Sequence, residues 1–372
     1  MDDVLVMPQG RFRLRRAHHD ARAPLRAWDA ADELALAHLH DVGAGGERWL
    51  VVNDGHGALA TALARHRPVS WTDSVVTMAA TRANLEGNGI DPADVRLLPG
   101  TEDPTGPVDV VVVKVPKALA LLDDQLRRLR PLLHAGSVVV GAGMTRDVHR
   151  STIAAFEAAV GPTPTSLARK KARLLLATVD RDLRPGPPAP AIRWRTDEGV
   201  EVVGRPGVFS ADRLDAGTRL LLDHLPEVAA GDVVVDLGCG TGVVAATVAH
   251  RHPGVRLVCV DESFQAVAAA QETLAAVAPA ADVRAADVLD GVDDASADLV
   301  ACNPPFHAGG ARTTDVARRM FAEAQRVLRP GGAVAVVANR HLGHHVTLRR
   351  WFADVEVVGS DPRFVVLRGR RP

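Results

Sequence analysis

Cysteine is scarce in this chain, and the three present, Cys239, Cys259 and Cys302, lie far apart with no CxxC pair. That spacing argues against a disulfide framework and against a zinc site, so no metal is expected. No apolar run reaches the roughly 18–20 residues that a membrane span requires. The opening MDDVLVMPQGRFRLRR begins with acids and lacks the apolar segment of a secretory signal, which leads to the expectation of a cytoplasmic protein with no membrane partner. Charge of one sign is also missing: 44 Lys plus Arg against 45 Asp plus Glu leaves a formal net charge of -1. Bulk charge therefore announces no polyanionic partner, and only a local concentration of it can. Two such concentrations exist, Arg11, Arg13, Arg15 and Arg16, and Arg169, Lys170, Lys171 and Arg173. Each reads equally as solvated surface or as an RNA footprint. Tyrosine is absent altogether.

What is present is enough for two folded cores. The chain has 372 residues, 47% hydrophobic and 24% charged, and soluble domains usually run to roughly 100–200 residues. Residues 184–190, RPGPPAP, hold four prolines and a glycine. They suit a stiff extended connector and neither a helix nor a central strand. The expected domains are therefore residues 1–184 and 191–372.

The same order of signals appears on both sides of the connector. WLVVNDGHGALATALA from Trp49 answers VVVDLGCGTGVVAATVA from Val233, and SWTDS with Asp73 answers CVDES with Asp261. VDVVVVKVPK up to Lys117 answers ADLVACNPPF up to Phe306, and each half continues through a helix closing on LRP into a β-branched strand. Apolar strands alternating with helical stretches predict βαβ units and a mostly parallel sheet, written twice.

Asp236-Leu-Gly-Cys-Gly-Thr-Gly follows one such strand and opens a helix. Gly238, Gly240 and Gly242 let the backbone turn tightly and come close to a ligand. A nicotinamide turn would be GxGxxG, and Val243 stands where its third glycine belongs. The spacing resembles motif I of class I methyltransferases instead, which implies S-adenosylmethionine as cofactor. Asp261 ends the next strand, where a carboxylate can accept both ribose hydroxyls of a nucleoside. A helix-capping acid is the competing role. Asp287, in RAADVLD after the third predicted strand, matches by the same resemblance the contact to the adenine amino group.

The sharpest signal is Asn303-Pro304-Pro305-Phe306, directly after the strand ADLVAC. Two prolines remove two backbone donors and hold a rigid turn that presents carbonyls. An exocyclic base amine is a poor nucleophile because its lone pair is delocalised into the ring. It needs acceptors for its two N–H groups that aim the lone pair at the methyl carbon. The Asn303 side-chain oxygen and the Pro304 carbonyl can be those acceptors, and Phe306 can stack on the extruded base. Adenine-N6 and glutamine-amide methyltransferases also use an NPP turn, more often followed by Tyr or Trp, and this chain has no tyrosine.

In the N-terminal copy Asn53 stands for the acid, Leu59 for the third glycine, and Lys114-Val-Pro-Lys117 for NPPF. A leucine at the close-approach position should obstruct a cofactor, so this half reads as degenerate and free to bind RNA, with Lys114 and Lys117 as candidate phosphate contacts. His341, His344 and His345 lack the carboxylate or cysteine company of a metal site. Asp215, in FSADRLDAGTRLLL, reads equally as a catalytic acid or as an acid in the N-terminal turn of a helix.

Taken together these motifs resemble the tandem-domain rRNA guanine-N2 methyltransferases over nearly the whole chain. KVPKALALL from Lys114 and SLARKKARLL from Ser166 are similar to the N-terminal signatures of the large-subunit (23S) members, and VANRHL and FVVLR agree. The resemblance implies an α/β protein of two tandem class I (Rossmann-like) methyltransferase domains with mostly parallel sheets, the N-terminal one degenerate. It further implies ribosomal RNA as partner and leaves an assembling ribosomal subunit open. The 16S enzyme of the same group is the alternative, and a non-enzymatic RNA-binding assembly protein is the rival from another class. Ala308 after NPPFH departs from an expected glutamine.

Overall fold

The computed structural model describes residues 3–18, 25–305 and 311–372. The chain divides into two compact units, Met1–Pro190 and Ala191–Pro372. The first runs past the expected end at residue 184 because Arg127 donates to the Gly186 carbonyl and Arg130 to the carbonyls of Asp180 and Leu183, tying the proline-rich segment down.

In the first unit the sheet consists of β1 (Trp49–Val52), β2 (Val69–Thr72), β3 (Arg96–Pro99), β4 (Val108–Lys114), β5 (Leu133–Met144) and β6 (Ala172–Ala177). Its order is β3-β2-β1-β4-β5-β6, parallel except for β6. The second unit has β7 (Val233–Leu237), β8 (Arg256–Asp261), β9 (Asp282–Ala285), β10 (Ala297–Cys302), β11 (Leu328–Asn339), β12 (Ala353–Ser360) and β13 (Phe364–Arg370). The order there is β9-β8-β7-β10-β11-β13-β12, with β7 to β11 parallel and β13 antiparallel to both neighbours. The first sheet is the second without a partner for β12.

Valine-rich runs form these strands because a parallel sheet is covered on both faces, which favours apolar side chains along nearly the whole strand. Along β7, Val233, Val235 and Leu237 enter one core and Val234 the other, as the two-residue period of a strand dictates. Helix Ala311–Val327 covers the first face with Ala317, Met320, Phe321 and Ala324; helices Val243–Arg251 and Phe264–Leu274 cover the second. In the first unit Val51 and its neighbours Leu50 and Val52 divide between two cores in the same way. Both units are doubly wound α/β structures, and in such folds ligands gather at the carboxyl ends of the strands on either side of the switch in strand order. Among the described residues no helix is long and apolar enough to cross a membrane.

Candidate active site

In the second unit β7 lies between β8 and β10, with Leu237 opposite both Val260 and Cys302. That register puts the glycine turn after β7, Asp261 at the end of β8 and Asn303 just past β10 on one edge. Asp287 follows β9 on the same edge. The four sequence signals thus converge through topology, although 67 residues separate Asp236 from Asn303 in the chain.

Two of the three glycines, Gly240 and Gly242, do different jobs. All three have positive φ, 74°, 53° and 74°. A Cβ on Gly242 would stand 2.9 Å from Ala270 Cα, so this glycine is required by the packing of the helix it opens against helix Phe264–Leu274. Around Gly240 nothing lies within 4 Å of a Cβ position, and here the backbone is open to a ligand. Its N–H donates to Asp261 Oδ2 at 2.9 Å, and Ser263 N–H donates to Oδ1 at 3.0 Å. Asp261 is only half-buried, and desolvation raises its carboxyl above the ordinary range against those backbone donors. Asp236 is deeply buried and accepts from Ala245 N–H at 3.2 Å, anchoring the start of helix Val243–Arg251. Burial pushes its pKa up to about 7. An open glycine backbone beside a half-buried carboxylate at the end of the second strand suits the ribose of an adenosine cofactor, with Asp236 shaping the turn from beneath.

Asp287 is held by Arg319 of helix Ala311–Val327 at 2.8 Å. The next residue, Val288, has φ 56°, a left-handed conformation that a β-branched side chain adopts only under constraint. Asn303 donates its side-chain amide to Thr218 Oγ1 at 2.9 Å. Thr218 is itself buried in the helix Ala216–Leu222, whose N-cap Asp215 accepts from Thr218 N–H at 3.0 Å. Asp215 is therefore the helix-capping acid, and Thr218 is the residue that sequence reasoning missed. A threonine in a short helix 85 positions from Asn303 carries no motif to betray it. Pro304 is buried and Pro305 exposed; Phe306 lies outside the described residues.

The first unit corrects three of the sequence matches. Asp54, not Asn53, does the work of Asp236: its carboxylate accepts from Ala58 and Ala60 N–H at the start of helix Ala58–Ala62. Gly57, not Leu59, matches Gly242. It caps that helix with φ 79°, and a Cβ there would meet Thr81 Cα at 2.6 Å. Leu59 is fully buried in the core and obstructs nothing. The counterpart of Asp261 is Thr72 rather than Asp73. Trp71 pairs with Val52 as Val260 pairs with Leu237, and Ser74 and Ser263 cap the following helices alike. No carboxylate therefore stands at the Asp261 position of this half.

Lys114 occupies the register of Asn303, since Val113 and Cys302 both sit opposite the strand-end residues of β1 and β7. Its ammonium is buried between Asp29 and Asp32, 2.8 Å from each. Burial opposes its charge, but the two carboxylates win and raise its pKa. Asp32 is driven up to about 7, chiefly by burial, against the pull of Lys114. Lys114 is committed inside the fold and is no phosphate contact; Lys117 is exposed. Asn53 exchanges two hydrogen bonds with Gln125, at 2.7 and 2.8 Å. Of the N-terminal basic cluster, Arg13 and Arg15 lie 3.5 and 4.0 Å from Asp3.

Among the described residues no group of three or more His, Cys, Asp or Glu is placed to hold a metal. His344 is buried edge-on against Phe321, which lowers its pKa by desolvation.

Residues 2–181 match the model of the RLMG N-terminal domain family, and residues 199–368 match that of the Methyltransferase small domain family. Relatives named ribosomal RNA large subunit methyltransferase G are 50% identical in Streptomyces avermitilis, over 99% of both chains, and 52% in Streptomyces coelicolor, over 98% of this chain and 99% of that one. The relative of the same name in Ectopseudomonas mendocina is 43% identical over 99% of this chain and all of its own length, 100%. Among solved structures, a T. thermophilus 16S rRNA N2 methyltransferase in complex with AdoMet and guanosine matches with a TM-score of 0.79 at 27% identity, covering 99% of this chain and 97% of that one. Both units are covered end to end by these similarities, and the glycine turn, Asp261 and Asn303 stand together on one edge of the second. The chain therefore belongs to the ribosomal RNA large subunit methyltransferase G family and is an S-adenosylmethionine-dependent methyltransferase.

Proposed function

We propose that the protein methylates the exocyclic N2 amine of a guanine in large-subunit (23S) ribosomal RNA. The second unit would be catalytic, and the first a degenerate methyltransferase fold acting as an RNA-binding adaptor. The observation that carries the mechanism is the Asn303–Thr218 hydrogen bond of 2.9 Å. With the amide nitrogen committed to Thr218, the side-chain oxygen of Asn303 is the group left to accept from substrate.

S-adenosylmethionine supplies a methyl carbon activated by its sulfonium. Gly238, Gly240 and Gly242 would shape the turn that holds it, Asp261 would accept from its ribose, Asp287 would contact its adenine, and Asp236 would brace the turn. Asn303 Oδ1 and the Pro304 carbonyl accept the two N–H groups of the guanine amine, which turns its lone pair outward. Pro305 stiffens that turn and Phe306 stacks on the base. As the amine nitrogen takes the methyl carbon, the carbon–sulfur bond breaks and its electron pair returns to sulfur, leaving a neutral thioether. The alkylated nitrogen, now positively charged, is strongly acidic, so one proton leaves to water and no side-chain base is required. The gain is one of orientation and preorganised acceptors.

Relatives named for the large subunit, at 43–52% identity, support 23S over 16S; the 16S N2 enzyme is similar at 27%. An assembling ribosomal subunit in the cytoplasm is the partner this function admits beyond the RNA itself. Mass-spectrometric mapping of rRNA from a deletion strain tests it. One N2-methylguanosine should vanish from 23S rRNA and return with the wild-type gene but not with Asn303→Ala. Loss confined to 16S rRNA would overturn it.

A further inference from the structure

The carboxyl edge of the first unit carries a feature that methyl transfer does not use. Arg169 and Ala172 exchange backbone hydrogen bonds of 2.9 and 2.8 Å, which makes Lys170 and Lys171 the two central residues of a tight hairpin turn. Both have positive φ, 48° and 62°, the geometry of a type I′ turn that Asn-Gly adopts with least strain. Two lysines hold it instead. Leu167 through Lys171 are all exposed. The Lys171 carbonyl accepts from Thr145 N–H at 2.8 Å, and Ala172 pairs with Met144, so the tip is pinned to the end of β5. Lys170 reaches Glu33 at 2.7 Å but stays 75% exposed. No ion pair of Arg169 or Lys171 is found among the described residues.

The duplicated fold supplies an internal control. Phe364 pairs with Asn339 at the end of β11 as Ala172 pairs with Met144 at the end of β5. Asp361-Pro362-Arg363 is therefore the equivalent tip of the second unit, and it is satisfied from within. The Asp361 carboxylate accepts from the N–H of Arg363 and of Phe364, both at 2.6 Å, and Arg340 donates to the Asp361 carbonyl at 2.8 Å. The Arg363 guanidinium lies over the Phe364 ring at 5.6 Å. One tip is built of residues that suit its turn. The other is built of residues that strain the turn and suit a polyanion.

We propose that the Arg169–Lys171 tip of the first unit is an RNA contact, its adjacent cations binding successive backbone phosphates of the ribosomal RNA substrate without reading sequence. This rests on the rRNA function proposed above. Each phosphate so neutralised releases counterions and steepens the salt dependence of binding, by about 0.7 per contact on a single strand and about 0.9 on a duplex.

The turn geometry makes a clean test available. In the Lys170→Asn, Lys171→Gly double variant two charges go while the turn receives its preferred residues, so the melting temperature should hold or rise. Affinity for deproteinised 23S rRNA, titrated from low to high KCl, should fall about tenfold at physiological salt, and the log–log slope should flatten by about 1.4–1.8. Binding of S-adenosylmethionine should not change, and Lys170→Arg with Lys171→Arg should keep the wild-type slope. A folded double variant with unaltered affinity and slope would overturn the inference. Methylation of the same RNA by wild-type protein is scored in parallel, so that failure of the rRNA function shows there and failure of the hairpin contact shows in the slope.

Discussion

The carboxyl edges of the two units are the same scaffold put to different ends. In the second, the end of β8 carries a half-buried carboxylate, Asp261, beside an open glycine, and the position past β10 carries Asn303 with its amide nitrogen engaged by Thr218. In the first, the matching positions are Thr72 and Lys114, and Lys114 is closed into an ion-paired cluster with Asp29 and Asp32. The helix anchor, by contrast, survives in both, as Asp54 and Asp236, and so does the glycine that lets two helices pack, as Gly57 and Gly242. What persists is what the fold needs; what differs is what a ligand would need. A glycine-rich turn alone therefore says little about cofactor binding, because part of its glycine content serves helix packing.

The sharpest way to break this comparison is Lys114→Ala. If the lysine is structural, its removal leaves carboxylates buried without their cation and should destabilise the first unit by about 3–5 kcal/mol. The loss should shrink at pH 5.5, where Asp32, with its pKa raised to about 7, carries its proton. A denaturant titration showing little change would return Lys114 to the list of RNA contacts. Next in size is Asn303→Ala, which should lower single-turnover methyl transfer on the order of 10²–10³-fold and leave the affinity for S-adenosylmethionine unchanged in calorimetry. Near-normal turnover would mean that other groups position the amine.

Asp261→Asn should weaken cofactor binding roughly 10–100-fold, the usual range for a charge-assisted hydrogen bond. Thr72→Asp, its mirror in the first unit, should leave the calorimetric stoichiometry at one per chain; a second site would show that only a carboxylate separates the units. The smallest effect concerns Asp236. Its folded pKa, about 7, lies above the unfolded value, so its contribution to stability is complete at acid pH and is lost as pH rises through 7. Compared with Asp236→Asn, the wild-type apoprotein should lose about 2 kcal/mol between pH 5.5 and 8.5, most of it below pH 7, or about 4–8 °C in melting temperature. A difference that does not vary with pH would show that Asp236 is already ionised.

Much of this was legible in the chain because strand-forming valine runs and helical stretches are local patterns, and NPPF and DLGCGTG are contiguous. The matches that slipped by one or two positions, Asn53 for Asp54, Asp73 for Thr72 and Leu59 for Gly57, slipped for a physical reason. By strand register Val52 matches Leu237, and Gly57 and Gly242 each follow by five positions, so the loops are equally long. The anchoring carboxylate sits within the strand as Asp236 but in the loop as Asp54, and letters no longer mark equivalent places.

The sequence by itself determined two doubly wound units, the edge that would bear ligands and the residues gathered there, since burial on both faces of a sheet and the strand order leave few alternatives. Only the tertiary structure decided which side chains are free to act. It showed that Lys114 is shut inside by Asp29 and Asp32, that Thr218 orients Asn303 across 85 positions of chain, and that Lys170 and Lys171 stand on a strained turn. Those outcomes depend on partners brought together from distant segments, and a hydrogen bond or an ion pair of that kind leaves no periodicity in the chain that makes it.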